Sequence, residues 1–139
     1  MPNKRKSERR SDCPLNISLE IFGDRWSLLI IRDLMFKERH DYKDFLQSGE
    51  QIATNVLTDR LKRLEYHGII VKEPHAADAR KVNYQLTAKG MDLAPVLIEM
   101  ITWAAKHEET AAPPSVIREM TKNREAFISE LRHCWKAQR

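Results

Sequence analysis

Cys13 stands directly before Pro14, with Arg9 and Arg10 just upstream. A thiol at a helix N-terminus beside cationic side chains is in a setting that stabilises the thiolate, the nucleophilic and oxidisable form. The same residue fits equally a small buried side chain that helps the first helix pack. Cys134, next to Trp135 on an apolar stripe, reads as a structural thiol. It becomes a resolving partner for Cys13 only if assembly brings the two together. A second group of residues suits polyanion chemistry. Asn55 pairs with an adenine edge, Lys62 reaches guanine or phosphate, and Thr58 contacts phosphate or a thymine methyl. Thr54 opens the same segment. Arg60 and Arg63 fall towards its sides, better placed for phosphates, and Arg80 and Lys81 follow in a loop. Asp59 lies on the outer face and repels phosphates unless it reads cytosine or pairs with Arg63.

Other chemistries find little support. His40, His67, His75, His107 and His133 have no partner four residues away and no CxxC companion, so no metal site is expected. His67 reads as a helix-terminal residue near carbonyls, and His75 as a wing contact to phosphate. The four glycines form neither a P-loop nor a dinucleotide fingerprint, and no catalytic triad signature appears. The expectation is a protein with no cofactor and no catalytic residues, not an enzyme. Trp26 and Trp103 fall on apolar stripes and are expected in the core.

The positive charge is uneven along the 139 residues. Residues 1–12 carry five basic and two acidic side chains, residues 13–52 five and seven, and residues 53–81 six and four. A basic arm and a basic middle section fit a polyanion partner better than the net charge of +4 alone. No apolar run approaches the roughly 18 residues of a membrane span. The basic opening is followed by Glu8, Arg9, Arg10 and Asp12 rather than a signal-peptide core. Two cysteines do not make a disulfide framework. The expectation is a soluble, cytoplasmic protein with no membrane partner.

These residues must be positioned by local elements. Residues 1–12 lack apolar periodicity and read as a flexible basic arm, followed by a single domain over 13–139. Pro14 suits a first helical position, and the run through Leu15, Leu19 and Phe22 stops at Gly23. Asp24 is a cap for a second helix carrying Trp26, Leu29, Ile30, Leu34 and Met35. A short third helix around Tyr42, Phe45 and Leu46 is entered through Asp41, and residues 47–51 read as a turn. A fourth helix runs from about Thr54 to His67 and closes at Gly68. At about 100° per residue, Leu57, Leu61 and Leu64 form its buried stripe while Asn55, Thr58, Asp59, Lys62 and Tyr66 face the other way. Ile69 to Val71 and the alternating Val82, Tyr84 and Leu86 predict a hairpin. Thr87 caps a helix through Met91, Ala94, Leu97 and Ile101 that Pro95 should bend. After the break at 111–114, one last helix from about Ser115 carries Val116, Met120, Phe127, Ile128, Leu131 and Trp135 on a stripe that calls for a partner surface.

Three helices followed by a two-stranded hairpin predict a mainly α, α+β fold: a winged helix-turn-helix over about 24–86, with extra helices at both ends. In that order the fourth helix enters the major groove and the hairpin reaches flanking phosphates. The rival function is a winged-helix protein-interaction adaptor, which salt-dependent DNA binding would distinguish.

The motifs carry a resemblance as well. Cys13-Pro14, then Gly23-Asp24-Arg25-Trp26-Ser27-Leu28-Leu29-Ile30, is similar to the opening signature of HxlR-type transcriptional regulators. It continues through Val56 to Glu65, Gly68-Ile69-Ile70, Val82 to Thr87, and Gly90, Leu93, Pro95, Leu97 and Trp103, so that the resemblance covers residues 13–107. Ala53 stands where the family usually has Ser, Asn83 where it has Glu, and Ala79-Arg80 where a proline pair is frequent. The resemblance implies a homodimer on a two-fold-related double-stranded operator, paired through its first and last helices. It also implies that Cys13 is a candidate redox or electrophile sensor. Repression is the expected outcome, and a small apolar cavity between the bent helix and the dimer interface is the expected place for any small effector.

Overall fold

Every element up to residue 90 serves to hold one exposed helix. The structure is a computed structural model that describes residues 8–74, 77–78 and 80–138. It divides into two units, one through Gly90 and one from Met91 onward. The first contains α1 (Pro14–Phe22), α2 (Ser27–Phe36), α3 (Tyr42–Leu46), α4 (Thr54–Tyr66), β1 (Ile70–Pro74) and β2 (Val82–Leu86). Pro14 opens α1 at a position where its missing N–H costs nothing. Asp41 and Asp44 form a reciprocal capping box on α3, so this five-residue helix is fixed at its entry rather than by length. Ile30, Ile31, Leu34, Phe45, Ile52, Leu57, Leu61, Leu64, Ile69, Ile70 and Leu86 make the core. The three leucines of α4 are buried at the spacing that their sequence stripe predicts.

β1 and β2 pair antiparallel, with Ile70 opposite Leu86 and Pro74 opposite Val82. The outer edge of β2 is covered near the entry to α3: Asp41 bridges to Asn83, and the Tyr84 amide donates to the His40 carbonyl at 2.7 Å. The hairpin is thereby tied to the helix-turn-helix. Gly68 ends α4 with φ +72°, a left-handed conformation that glycine adopts without penalty. His67 caps the same helix, its amide donating to the Arg63 carbonyl at 3.0 Å, and its own carbonyl accepts from Lys89 Nζ at 2.7 Å. His75 lies outside the described residues.

The sequence expectation for the following helix needs correction. A short α5 (Ala88–Met91) ends before α6 (Ala94–His107) begins, and Pro95 lies in the first turn of α6 rather than bending one long helix. Proline lacks the N–H that a helix interior needs but is tolerated in the first turn, so the chain restarts there. Thr87 does cap α5: its Oγ1 accepts from the Gly90 amide at 3.1 Å.

The second unit holds α6, α7 (Pro114–Lys122) and α8 (Arg124–Ala137), with α6 against α7 and α7 against α8. The last helix expected from the sequence is thus two. Asn123 leaves helical geometry at φ −122°, ψ 42°, its amide closing α7 on the Glu119 carbonyl while its own carbonyl accepts from Phe127. Its side chain bonds to the Glu119 carboxylate one turn back, and Asn is a weak helix former at such a point. Trp26 is half-buried, whereas Trp103 is 65% exposed and is not a core residue. Phe127, Ile128, Leu131 and Trp135 are half-buried, and the exposed apolar stripe of this unit lies instead on α6, at Val96, Met100 and Trp103. No helix among the described residues is long and apolar enough to cross a membrane.

Candidate nucleic-acid interface

α4 presents Thr54, Asn55, Thr58, Asp59 and Lys62 as exposed residues, opposite its buried leucines. Ala53 precedes the helix without a side-chain cap. Its first turn is held from α3 instead. The Tyr42 hydroxyl donates to the Thr54 carbonyl at 3.0 Å and shares a hydrogen bond with the Thr58 hydroxyl, also at 3.0 Å. Tyr42 therefore fixes both the start of α4 and the side chain of one predicted contact residue.

The turn before α4 is stapled to α2. Arg32 makes a bidentate pair with Glu50, at 2.7 and 2.8 Å, and also reaches Ser48 Oγ at 3.1 Å. The hydrogen bonds from Arg32, then that from Ser48, hold the Glu50 carboxyl at about 2, well below the usual carboxylate range. Asp33, buried beside this pair, is itself paired with Arg32 at 2.9 Å and Arg39 at 3.7 Å. A turn pinned in this way fixes the angle between α3 and α4.

Asp24 does two jobs. Its Oδ1 accepts from the Trp26 and Ser27 amides at 2.8 and 2.9 Å, capping α2 as the sequence predicts. Its Oδ1 also accepts from Arg60 Nε at 3.0 Å. Burial pushes this carboxyl up, but the bonds from Ser27, Trp26 and Arg60 outweigh it and hold it at about 2. Arg60 in turn pairs with Asp59, so the neutralising partner of Asp59 is Arg60 and not the Arg63 considered from sequence. Its guanidinium is engaged by two carboxylates. Arg63 is half-buried on the side of α4 facing α1, with Nη2 3.4 Å from the Glu20 carbonyl.

Arg80 and Lys81 are exposed just before β2. Arg80 makes only peripheral bonds to Asp78, at 3.2 and 3.4 Å, and its side chain is almost fully open to solvent. Together with Lys43, Tyr42 and Tyr84 they line a cleft of about 410 Å³ between α3 and the hairpin. Lys43 and Tyr42 were not picked out as site residues from sequence. The positive charge of Lys43 is visible in the chain, but its proximity to Arg80 arises only when β2 pairs back on residues 40–41. Cys13 is exposed at the start of α1, and the alternative in which it packs that helix within the chain does not hold. Leu15 and Leu19, further along α1, are 67% and 56% exposed. Cys134 is exposed too, with Sγ 3.7 Å from Glu130 on its own helix, rather than packed as a structural thiol.

A tri-helical unit with an outward polar helix and a basic hairpin defines a winged helix-turn-helix, the architecture of DNA-binding transcription regulators. The chain matches the family model for HxlR-like helix-turn-helix proteins over residues 21–112, and it belongs to that family. An HTH-type transcriptional regulator of Synechocystis sp. is 36% identical over 88 residues, which are 63% of this chain and 64% of the relative's length. The match thus spans just under two thirds of that relative. The HTH-type transcriptional regulator YdeP of Bacillus subtilis is 30% identical over 97 residues, 70% of this chain and 75% of YdeP. Among solved structures, PA1607, a candidate transcription factor, superposes with a TM-score of 0.67 at 32% identity, covering 77% of this chain and 73% of its own. The oxidized form of the redox regulator HypR gives 0.62 at 26% identity over 70% of this chain and all of HypR. The reduced form of the transcriptional regulator YodB of B. subtilis gives 0.57 at 34% identity, over 68% and 93%. The protein is a transcriptional regulator of the helix-turn-helix type.

Proposed function

We propose that this regulator binds a two-fold-related operator as a homodimer and represses transcription by occupying it, in the cytoplasm where promoters are reached. The observation that carries this is the outward face of α4, where Thr54, Asn55, Thr58 and Lys62 are exposed together on a helix locked from behind by Leu57, Leu61 and Leu64. In the major groove Asn55 takes an adenine edge, Lys62 a guanine or phosphate, and Thr58 a phosphate or thymine methyl, with Thr54 at the backbone. Arg80 and Lys81, joined by Lys43, hold flanking phosphates, and Arg63 is a phosphate contact at the side. Arg60 acts differently: it neutralises Asp59 and ties α4 to the cap of α2, so that Asp59 does not repel the backbone. Repression follows from size, because a small dimer on a promoter blocks it without touching polymerase.

Cys13 is the residue through which this regulator would respond to oxidants or electrophiles. Its exposed thiol at the start of α1, next to the exposed Leu15 and Leu19, supports that role, as does the likeness to the redox regulator HypR.

Fluorescence-anisotropy titration on the DNA upstream of the protein's own coding sequence tests both. A scrambled duplex, two salt concentrations, and diamide with wild type and Cys13→Ser complete the design. Selective, salt-sensitive binding that diamide abolishes in the wild type alone is the expected result. Equal binding to scrambled DNA by a folded dimer would point to a protein-interaction adaptor. Diamide sensitivity that survives Cys13→Ser would remove Cys13 from the mechanism.

A further inference from the structure

A cavity of about 310 Å³ lies between the segment before α1, α1 itself and the last turn of α4. That volume is at the lower end of the range for small-molecule sites, about 300–1,000 Å³. Its walls are of two kinds. Ile17 and Ile21 on α1 and Tyr66 on α4 supply its apolar surface. Arg9 and Arg63 supply two guanidinium groups, and neither forms an ion pair among the described residues. Among the described residues the Arg63 side chain makes one hydrogen bond, the 3.4 Å contact to the Glu20 carbonyl, which leaves most of its five donors unused there. Two acids line it as well, Glu8 and Glu20, and Glu20 has its Oε2 engaged by Asn16 Nδ2 at 2.6 Å and by the Arg10 amide at 3.1 Å. A planar guanidinium with open donors binds carboxylates in a bidentate fork, and apolar walls beside it select an organic body over a bare inorganic anion.

We propose that this cavity binds a small aromatic carboxylate, its carboxylate held by Arg63 and Arg9 and its ring lying against Ile17, Ile21 and Tyr66. The regulatory consequence rests on the DNA-binding function proposed above, in which Arg63 also serves a flanking phosphate. Ligand and DNA then compete for one guanidinium. Occupancy weakens DNA binding, and by linkage DNA weakens ligand binding by the same factor.

Isothermal titration of the full chain with benzoate tests the site without DNA, with benzamide and inorganic phosphate as controls. Benzoate binds once per chain, the two controls do not, and Arg63→Gln or Arg9→Gln weakens it about tenfold. Arg9 precedes α1, so Arg9→Gln keeps the test valid if Arg63→Gln disturbs α4. Absence of benzoate binding at millimolar concentration overturns the proposal. So does equal binding of benzamide or phosphate, or an affinity unchanged in both variants. Anisotropy with and without benzoate then reads the coupling as a rise in DNA Kd of about fivefold or more, and an unchanged Kd overturns the coupling. Benzoate binding by a protein that ignores DNA would sink the operator function alone. DNA binding without benzoate binding would sink the cavity alone.

Discussion

Asn55 and Arg80 are both exposed and polar, yet their substitution should be felt in different ways. Asn55 stands on the outward face of α4, where a side-chain amide matches the donor and acceptor of adenine. Asn55→Ala should therefore relax preference at one base position, at a cost of about 1–3 kcal/mol there and little elsewhere. In the proposed complex Arg80 meets a charge that every sequence carries, so Arg80→Ala should weaken all duplexes evenly and lower the salt slope by about one. A panel of single-base operator variants, titrated at three salt concentrations, separates the two; the reverse pattern would mean that α4 is not the reading helix. The outward placement of Asn55 was legible because angular position on a helix follows from counting residues, and the exposure of Arg80 because the alternating Val82, Tyr84 and Leu86 put it in the hairpin loop. Arg60 was not. Its partner Asp24 is 36 residues away, and nothing in the spacing around Arg60 tells a phosphate ligand from a clamp. Tyr42 shows the same limit, since its aromatic ring reads as support while its hydroxyl reaches Thr58 across two helices.

At the scale of elements, the geometry of α4 depends on joints made of charge and close backbone packing. The Arg32–Glu50 pair that pins the turn before α4 has a pH signature. Glu50 is held at about 2 against an ordinary value of 4.5, so its stabilisation is complete above pH 4.5 and disappears as pH falls through 2. Asp24, held at about 2 against 3.8, acts in the same window with the same sign. Urea midpoints at pH 7, 4 and 2.5 should fall with acid in the wild type. Glu50→Gln should start lower at pH 7 and fall less; a parallel decline would remove this pair from the acid response. The joint between β1 and α5 is steric. A Cβ on Gly90 would sit 2.4 Å from the Ile69 carbonyl oxygen and 3.0 Å from Leu86. Backbone cannot step aside as a side-chain tip can, so Gly90→Ala should cost about 1–3 kcal/mol in a denaturation series. The ends of α1 and α4 and the cap of α2 were readable from Pro14, Gly68 and Asp24, because these signals act within one turn. The α5–α6 break and the kink at Asn123 were not, because an apolar stripe continues in register across both and masks the interruption.

Among the described residues, each unit carries an apolar helix face that is left uncovered. On α1, Leu15 and Leu19 form one; on α6, Val96, Met100 and Trp103, spaced four and three apart, form the other. Large side chains left in water along a helix stripe mark a contact surface, and under the proposed binding to a two-fold operator the fitting occupant is a second copy of the chain. The sequence stripe had directed that contact to the last helix, but Phe127, Ile128, Leu131 and Trp135 are half-buried already. The homodimer should therefore depend on α1 and α6. Leu19→Glu and Met100→Glu, each introducing a charge where the dimer would bury carbon, should shift the protein from twice the chain mass towards one chain mass in light scattering. Neither side chain belongs to the core, so circular dichroism should be unchanged. Such a dimer would set two α4 helices about one DNA turn apart, roughly 34–36 Å, so operator spacing becomes a second readout. Inserting about 5 bp between half-sites turns one of them to the far side of the duplex and should abolish cooperative binding, while about 10 bp returns it to the same side. For the charged variants that phase dependence should vanish, because a monomer reads each half-site alone. Variants that stay dimeric and keep the phase dependence would show that these faces are not where two copies meet.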